Sequence, residues 1–180
     1  MKKMFFVVAF AAASFAAKAQ DAPTNVVKLN PLGLIFGSAN LAYEKALNEK
    51  SSFLIAPQFG GFKLGGVKYS SFGLGAEYRF FLSNTKSAPE GFYAGPGLAF
   101  NSGKVKYEGF EDGDEKVKFS SFGGKVIIGN QWIFDSGFTI DLNGGISFQK
   151  FSYKDGEEDS FGLKGSGVLP ALGFSIGYAF

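Results

Sequence analysis

Hydrophobic and polar positions alternate with a period of two along most of the chain. Between Phe138 and Phe148 the even positions read Phe138, Ile140, Leu142, Gly144, Ile146 and Phe148, while the odd positions read Thr139, Asp141, Asn143, Gly145, Ser147 and Gln149. From Leu172 to Phe180 the even set is Leu172, Phe174, Ile176, Tyr178 and Phe180, against Gly173, Ser175, Gly177 and Ala179. Ser70 to Leu82 repeats the pattern with Phe72, Leu74, Ala76, Tyr78 and Phe80 against Ser71, Gly73, Gly75, Glu77 and Arg79. Such alternation predicts half-buried strands. Helical periodicity is poor, and Gly recurs too often for stable helices. Expected strands are Val26–Phe36, Ala39–Leu47, Ser52–Phe62, Tyr69–Leu82, Phe92–Asn101, Phe119–Phe134, Phe138–Tyr153 and Val168–Phe180. The first is the least regular, because Pro31 interrupts it.

The two faces differ in kind. One carries bulky aromatics, and the other is dominated by Gly, Ser, Asn and Gln with a few charges. A soluble sandwich or barrel turns its apolar face inward. Here that choice would crowd many Phe into a small core and leave an outside rich in Gly and poor in charge. The inverse arrangement, bulky residues out and small polar residues in, is the pattern of a transmembrane β-barrel. The expected fold is therefore all-β, a single antiparallel up-and-down transmembrane β-barrel of about eight strands. Most of the segments reach the ~9–11 residues that a tilted strand needs to cross a bilayer.

Composition sharpens this picture. The 180 residues include 26 Gly and 23 Phe, with no Cys and no His. The missing His and Cys exclude the usual catalytic triads, thiolate chemistry and ordinary zinc sites, and no disulfide framework exists. Lys2 and Lys3, the apolar run Met4–Ala17 and the site Ala17-Lys18-Ala19 form the three parts of a Sec signal peptide. Residues 1–19 are expected to be removed, leaving residues 20–180 as the barrel domain. That removes three Lys and no acid, so 15 basic and 16 acidic groups remain, a net charge of −1. A basic surface for nucleic acid is not expected.

With both termini on the periplasmic side, the expected periplasmic turns are Asn48–Ser51, Ser83–Gly91 and Asp135–Gly137. The expected outer loops are Gly37-Ser38, Lys63–Lys68, Ser102–Lys118 and Lys154–Gly167. Phe174, Ile176, Tyr178 and Phe180 form a terminal aromatic strand similar to the C-terminal signal read by the outer-membrane insertion machinery. Tyr78, Phe80, Trp132, Phe134, Phe138, Tyr178 and Phe180 fall near periplasmic strand ends and are expected to form an aromatic girdle at one level.

The whole chain after residue 19 resembles the small eight-stranded outer-membrane barrels of the OmpA/OmpX/OmpW type. The run from Lys28 to Gly37 (Lys-Leu-Asn-Pro-Leu-Gly-Leu-Ile-Phe-Gly), followed by Asn40-Leu41-Ala42-Tyr43-Glu44-Lys45, is similar to an uncharacterised barrel family common in Bacteroidota. That family brings no catalytic or ligand residues to transfer. The peptidoglycan-binding domain of OmpA-type proteins is not expected, since the last strand reaches Phe180.

Glu44, Glu77, Arg79 and Asp141 are expected to face inward in the periplasmic half, with Lys125 nearer mid-height. Arg79 is the only Arg of the chain, and its planar guanidinium can fork between carboxylates. These groups are read as a self-satisfying charge network that fills the lumen, in preference to an ion gate, since buried charges must pair. An eight-stranded barrel has an interior just wide enough for side chains. Paired carboxylates without a nucleophile beside a base do not make an enzyme, and no catalytic residue, cofactor or metal is expected. Acidic stretches lie in the outer loops, Glu108, Glu111, Asp112, Asp114 and Glu115 in one and Asp155, Glu157, Glu158 and Asp159 in the other. The spacing Asp112-Gly113-Asp114-Glu115 does not complete a Ca²⁺ loop, so these are read as solvated loops.

The functional expectation is a non-enzymatic outer-membrane barrel with a structural or surface-interaction role. Its expected partners are outer-membrane lipid, lipopolysaccharide and, during biogenesis, the barrel-assembly machinery; a protein partner at the outer loops is left open. The alternatives are a narrow or gated channel for small solutes, hydrophobic ones included, and a soluble lipocalin-like binder.

Overall fold

A computed structural model of the chain describes residues 23–35, 37–64, 66–107, 116–154 and 166–180. Eight strands follow one another around a closed antiparallel barrel: β1 (Asn25–Leu29), β2 (Ser38–Asn48), β3 (Ser51–Leu64), β4 (Val67–Phe81), β5 (Gly91–Tyr107), β6 (Lys116–Ile133), β7 (Phe138–Lys154) and β8 (Ser166–Ala179). One short helix, α1 (Pro31–Ile35), lies between β1 and β2. Closure is antiparallel pairing of β1 with β8, from Val26↔Ala179 to Leu29↔Ile176. Phe180 finishes the seam, its N–H donating to Asn25 O at 2.8 Å and its carbonyl accepting from Asn25 N at 3.0 Å. We call this the terminal end of the barrel and the opposite one the far end. No helix among the described residues is long and apolar enough to cross a membrane, a fact that does not bear on strands.

The bulky face of the alternation is the outside. Phe72, Leu74 and Phe80 on β4, Phe122, Val126, Ile128 and Trp132 on β6, and Phe138, Leu142, Ile146 and Phe148 on β7 are all exposed. Between them Glu77, Arg79, Gln131, Thr139 and Asp141 are buried. A one-residue slip would exchange these two sets, so the parity read from the sequence is the parity of the fold.

Three boundaries differ from expectation. The first strand ends at Leu29, not Phe36. Hydrogen-bonded pairs along the β1–β8 seam fall at alternate residues, and the next would join Pro31 to Phe174. Pro31 has no N–H to give, and its fixed φ suits the first position of a helix instead. Asn30 then accepts from Gly33 N at 3.0 Å as the cap of α1.

The far-end loops are also shorter than expected. Lys63–Lys68 is strand up to Leu64 and again from Val67, and the expected loop Ser102–Lys118 is strand up to Tyr107 and from Lys116. The expected limits Phe62, Tyr69, Asn101 and Phe119 lie one to three positions beyond the last outward aromatic, whereas the strands continue past them with polar residues outside and apolar ones inside. Inward Tyr69 lies between Phe62, tilted at a ring separation of 5.2 Å, and Phe119, stacked at 6.2 Å, and inward Val105 is buried. Lys63, Lys68, Lys104 and Lys118 take the outward positions and are exposed. Above the outward aromatics, the apolar side of the wall changes from outside to inside.

The third difference is at the terminal end. The segment after β4, expected as a plain turn, folds back beneath the lumen. Ala88 and Pro89 are buried there, and Ala88 N donates to Glu49 O at 2.9 Å. Ala88 joins Phe81, Tyr93 and Ile127 in an apolar cluster that floors the barrel.

Candidate functional site

Directly above that floor the lumen holds charge. Parity sends Glu44 of β2, Glu77 and Arg79 of β4, Lys125 of β6 and Asp141 of β7 inward, and the structure brings all five into one network. The Arg79 guanidinium is its hub. Nε and Nη2 donate to Glu77 Oε2 at 2.8 and 2.6 Å, and Nη1 donates to Asp141 Oδ2 at 2.7 Å and to Glu44 Oε2 at 3.4 Å. Its Cζ lies 4.3 Å from the centre of the Tyr93 ring, a cation–π stack that fixes the plane of the fork. Lys125 reaches down to Glu77 Oε1 at 2.6 Å.

Four further members were not anticipated. Lys28 of β1 is 2% exposed. Its Nζ sits 2.5 Å from Glu44 Oε2 and 2.6 Å from Asp141 Oδ2, and it also donates to Gln131 Oε1. Gln131 in turn donates from Nε2 to the Pro89 carbonyl at 2.6 Å, tying the network to the floor. Ser52 donates to Glu44 Oε1. The Tyr93 hydroxyl donates to Asp141 Oδ1 at 2.7 Å. Tyr93 fits because its partner on the neighbouring strand β6 is Gly129: a Cβ there would lie 2.6 Å from the hydroxyl.

Three carboxylates thus meet three cations, and the cluster is neutral. This is the condition under which charges survive where side-chain exposure is 0–7% for all but Lys125. Apart from Gln131 Nε2, which reaches the Pro89 carbonyl, the hydrogen bonds named above join members to one another, so the arrangement crosslinks seven of the eight strands, β1 to β7. Each of its three carboxylates is held by at least one cation. Among the described residues no group of three or more Asp or Glu is placed to hold a metal ion. The acidic residues Glu108, Glu111, Asp112, Asp114, Glu115, Asp155, Glu157, Glu158 and Asp159 lie outside the described residues.

Tyr93 gives a direct measure of this packing. Tyr93→Phe keeps the ring over Arg79 and removes one hydrogen bond to a buried carboxylate. A bond to a charged group is worth about 1.5–3 kcal/mol. The variant is expected to fold into the same barrel with stability lower by that amount, as read from urea unfolding followed by tryptophan fluorescence. Unchanged stability would mean that Asp141 finds a replacement donor.

The aromatic residues expected as a girdle share the terminal end. Phe80, Trp132, Phe134, Phe138 and Tyr178 are exposed and Tyr78 is half-buried. Tyr78 and Phe80 lie 4.7 Å apart between ring centres, Phe134 and Phe138 5.9 Å, and Phe138 pairs with Tyr178. Phe174, Ile176 and Tyr178 occupy alternate positions on β8, and Phe180 holds the seam. A second ring, which the sequence reading did not single out, stands toward the far end: Phe59, Phe72, Phe100, Phe122 and Phe148 are all exposed on the outer face. Its signal was available in the same alternation, at the last outward apolar position of each strand.

No curated protein matches the chain. Its sequence does match, over residues 4–179, the family described as "Protein of unknown function (DUF3575)". The match spans nearly the whole length, and the chain belongs to that family.

Proposed function

We propose that this is a non-enzymatic outer-membrane β-barrel protein of the OmpA/OmpX/OmpW type from a Gram-negative bacterium of the Bacteroidota. Its role is structural or surface-interacting, and its lumen is closed by side chains. The observation that carries the membrane reading is the spacing of the two aromatic rings. Phe72 and Phe80, Phe122 and Trp132, and Phe138 and Phe148 are eight to ten positions apart on their strands. At ~3.3 Å per residue and a tilt of about 40°, that spacing corresponds to ~20–25 Å along the barrel axis. An apolar outer band of ~25 Å between aromatic girdles is the dimension of an outer-membrane hydrocarbon core. The reversal of facing beyond the far ring supports the same reading, since walls that leave lipid for water exchange their apolar side.

In this reading residues 1–19 are the export signal, the terminal end is periplasmic, and the last strand, Phe174 to Phe180, is what the assembly machinery reads. Sealing by the charge network and the Ala88–Pro89 floor argues against a steady pore. The urea-unfolded chain is expected to fold into phosphatidylcholine vesicles with heat-modifiable gel mobility, and to give no steady conductance in planar bilayers. A chain that stays in the aqueous fraction of cells would overturn the membrane assignment. A stable single-channel conductance would instead favour the channel alternative.

A further inference from the structure

The outer face beyond the far aromatic ring has a repeating order. Going outward along each strand, Phe59 is followed at alternate positions by Gly61 and Lys63, Phe72 by Ser70 and Lys68, Phe100 by Ser102 and Lys104, and Phe122 by Ser120 and Lys118. On β7 Phe148 is followed by Lys150. These are five neighbouring strands, β3 to β7. Four positions of a tilted strand rise ~10 Å, so most of these lysines stand about one headgroup layer above the aromatic ring. Going from β3 to β7, the register advances by two residues at β4–β5 and again at β6–β7, which keeps rings and lysines each at one height as the strands tilt.

The lysines are placed against their own interest. Lys104 and Lys118 are direct cross-strand partners. Like charges directly opposite are destabilising. Lys68, Lys104, Lys118 and Lys150 are exposed, and none forms an ion pair among the described residues. The stretches 60–64, 67–71, 101–107, 116–121 and 149–154 contain eight Lys and no Asp or Glu. A sheet surface that concentrates one charge at one height, directly over an apolar band, is complementary to a layer of anions at that height. Lipid phosphates form such a layer, and a soluble anion has no reason to be confined to it.

We propose that Lys68, Lys104, Lys118 and Lys150 of β4 to β7 form a belt that binds the phosphate groups of a phosphorylated glycolipid of the outer leaflet, whose acyl chains lie against the Phe ring below. The proposal rests on the membrane reading and names the partner of that surface. Ammonium groups act here as point charges toward phosphate, so the belt binds phosphate without requiring one sugar.

The test uses the full barrel folded into phosphatidylcholine vesicles, with and without a minor fraction of diphosphoryl lipid A or of its dephosphorylated form. The wild type is expected to unfold several degrees higher with the phosphorylated lipid only, and salt should erode the difference. The variant K68Q/K104Q/K118Q/K150Q is expected to lose the difference while unfolding in plain phosphatidylcholine at the wild-type temperature or above. Arg at the same four positions should restore it. A shift that survives the Gln substitutions overturns the proposal. So does a Gln variant that is destabilised in plain phosphatidylcholine, which would show that the chain's own acids neutralise these lysines. A shift reproduced by inorganic phosphate alone overturns the lipid assignment. Normal insertion without phosphate dependence defeats this proposal alone, whereas failure of the wild type to enter any vesicle defeats the membrane reading and the proposal with it.

Discussion

Arg79→Ala is expected to be among the most damaging single substitutions in this protein. The guanidinium gives four hydrogen bonds to three carboxylates, Glu77, Asp141 and Glu44, and covers the Tyr93 ring. Removing it leaves three acids against Lys28 and Lys125, an excess of one negative charge behind a sealed floor. Removal of one partner from a buried pair costs about 3–5 kcal/mol. The lower part of that range is the better expectation, because Lys28 already touches Glu44 and Asp141 and absorbs part of the change. The sign of the pH effect follows from the charge count. At pH 7 the surplus carboxylate is ionised and unpaired in the folded barrel, whereas in the unfolded chain water solvates it. At pH 4 a proton can neutralise it, so the deficit relative to the wild type should shrink. Thermal unfolding of both proteins at the two pH values measures this directly, and equal deficits would refute the charge argument. Arg79→Lys should recover only part of the loss, since a single ammonium cannot span the fork that reaches Glu77 and Asp141 together.

How much of this was legible beforehand depended on where the period-two pattern was long enough to count. In β4 and β7 it runs for more than ten residues, and parity alone placed Glu77, Arg79 and Asp141 inside. Lys28 escaped because β1 is five residues long and Pro31 blurs the alternation on its far side. Tyr93 escaped for a different reason. Parity beside outward Phe92 turns Tyr93 inward, but nothing local says that Gly129 on the neighbouring strand leaves room for its ring. Gln131 is neutral, so its place between Lys28 and Pro89 depends on two contacts far apart in sequence. The floor had no periodic signal at all: Ala88 and Pro89 are buried by their position under the barrel. The far-end strand limits were less legible because the outward apolar face ends at Phe59, Phe72, Phe100 and Phe122, and beyond it the strands carry Lys outside and apolar residues inside.

The second large effect is expected at Gly95. Its Cα lies so near β4 that an added Cβ would stand 1.9 Å from the Tyr78 carbonyl oxygen and 3.1 Å from Arg79 Cα. Those neighbours are backbone, and no rotamer change relieves the overlap. The β4–β5 pairing is also interrupted here, between Glu77↔Gly97 and Phe80↔Ala94, so the wall is pinched where Arg79 leaves β4 for the lumen. Overpacking a tight site typically costs ~1–3 kcal/mol, occasionally more. With main chain as the obstacle, Gly95→Ala should sit at or above the top of that range, either by moving β5 away from β4 or by swinging Arg79 out of its fork. Gly167→Ala provides the control, because nothing lies within 4 Å of a Cβ added there. It should change stability by no more than about 0.5 kcal/mol, as surface substitutions that meet no neighbour do. The measurement is urea unfolding of vesicle-inserted protein, read by tryptophan fluorescence together with the heat-modifiable gel shift. If Gly95→Ala and Gly167→Ala behave alike, the close approach of β5 to the Tyr78 carbonyl does not exist in the folded protein. If Gly95→Ala is damaging in the wild type but nearly neutral in an Arg79→Ala background, the pinch acts through the fork, since coupled sites are those whose effects fail to add.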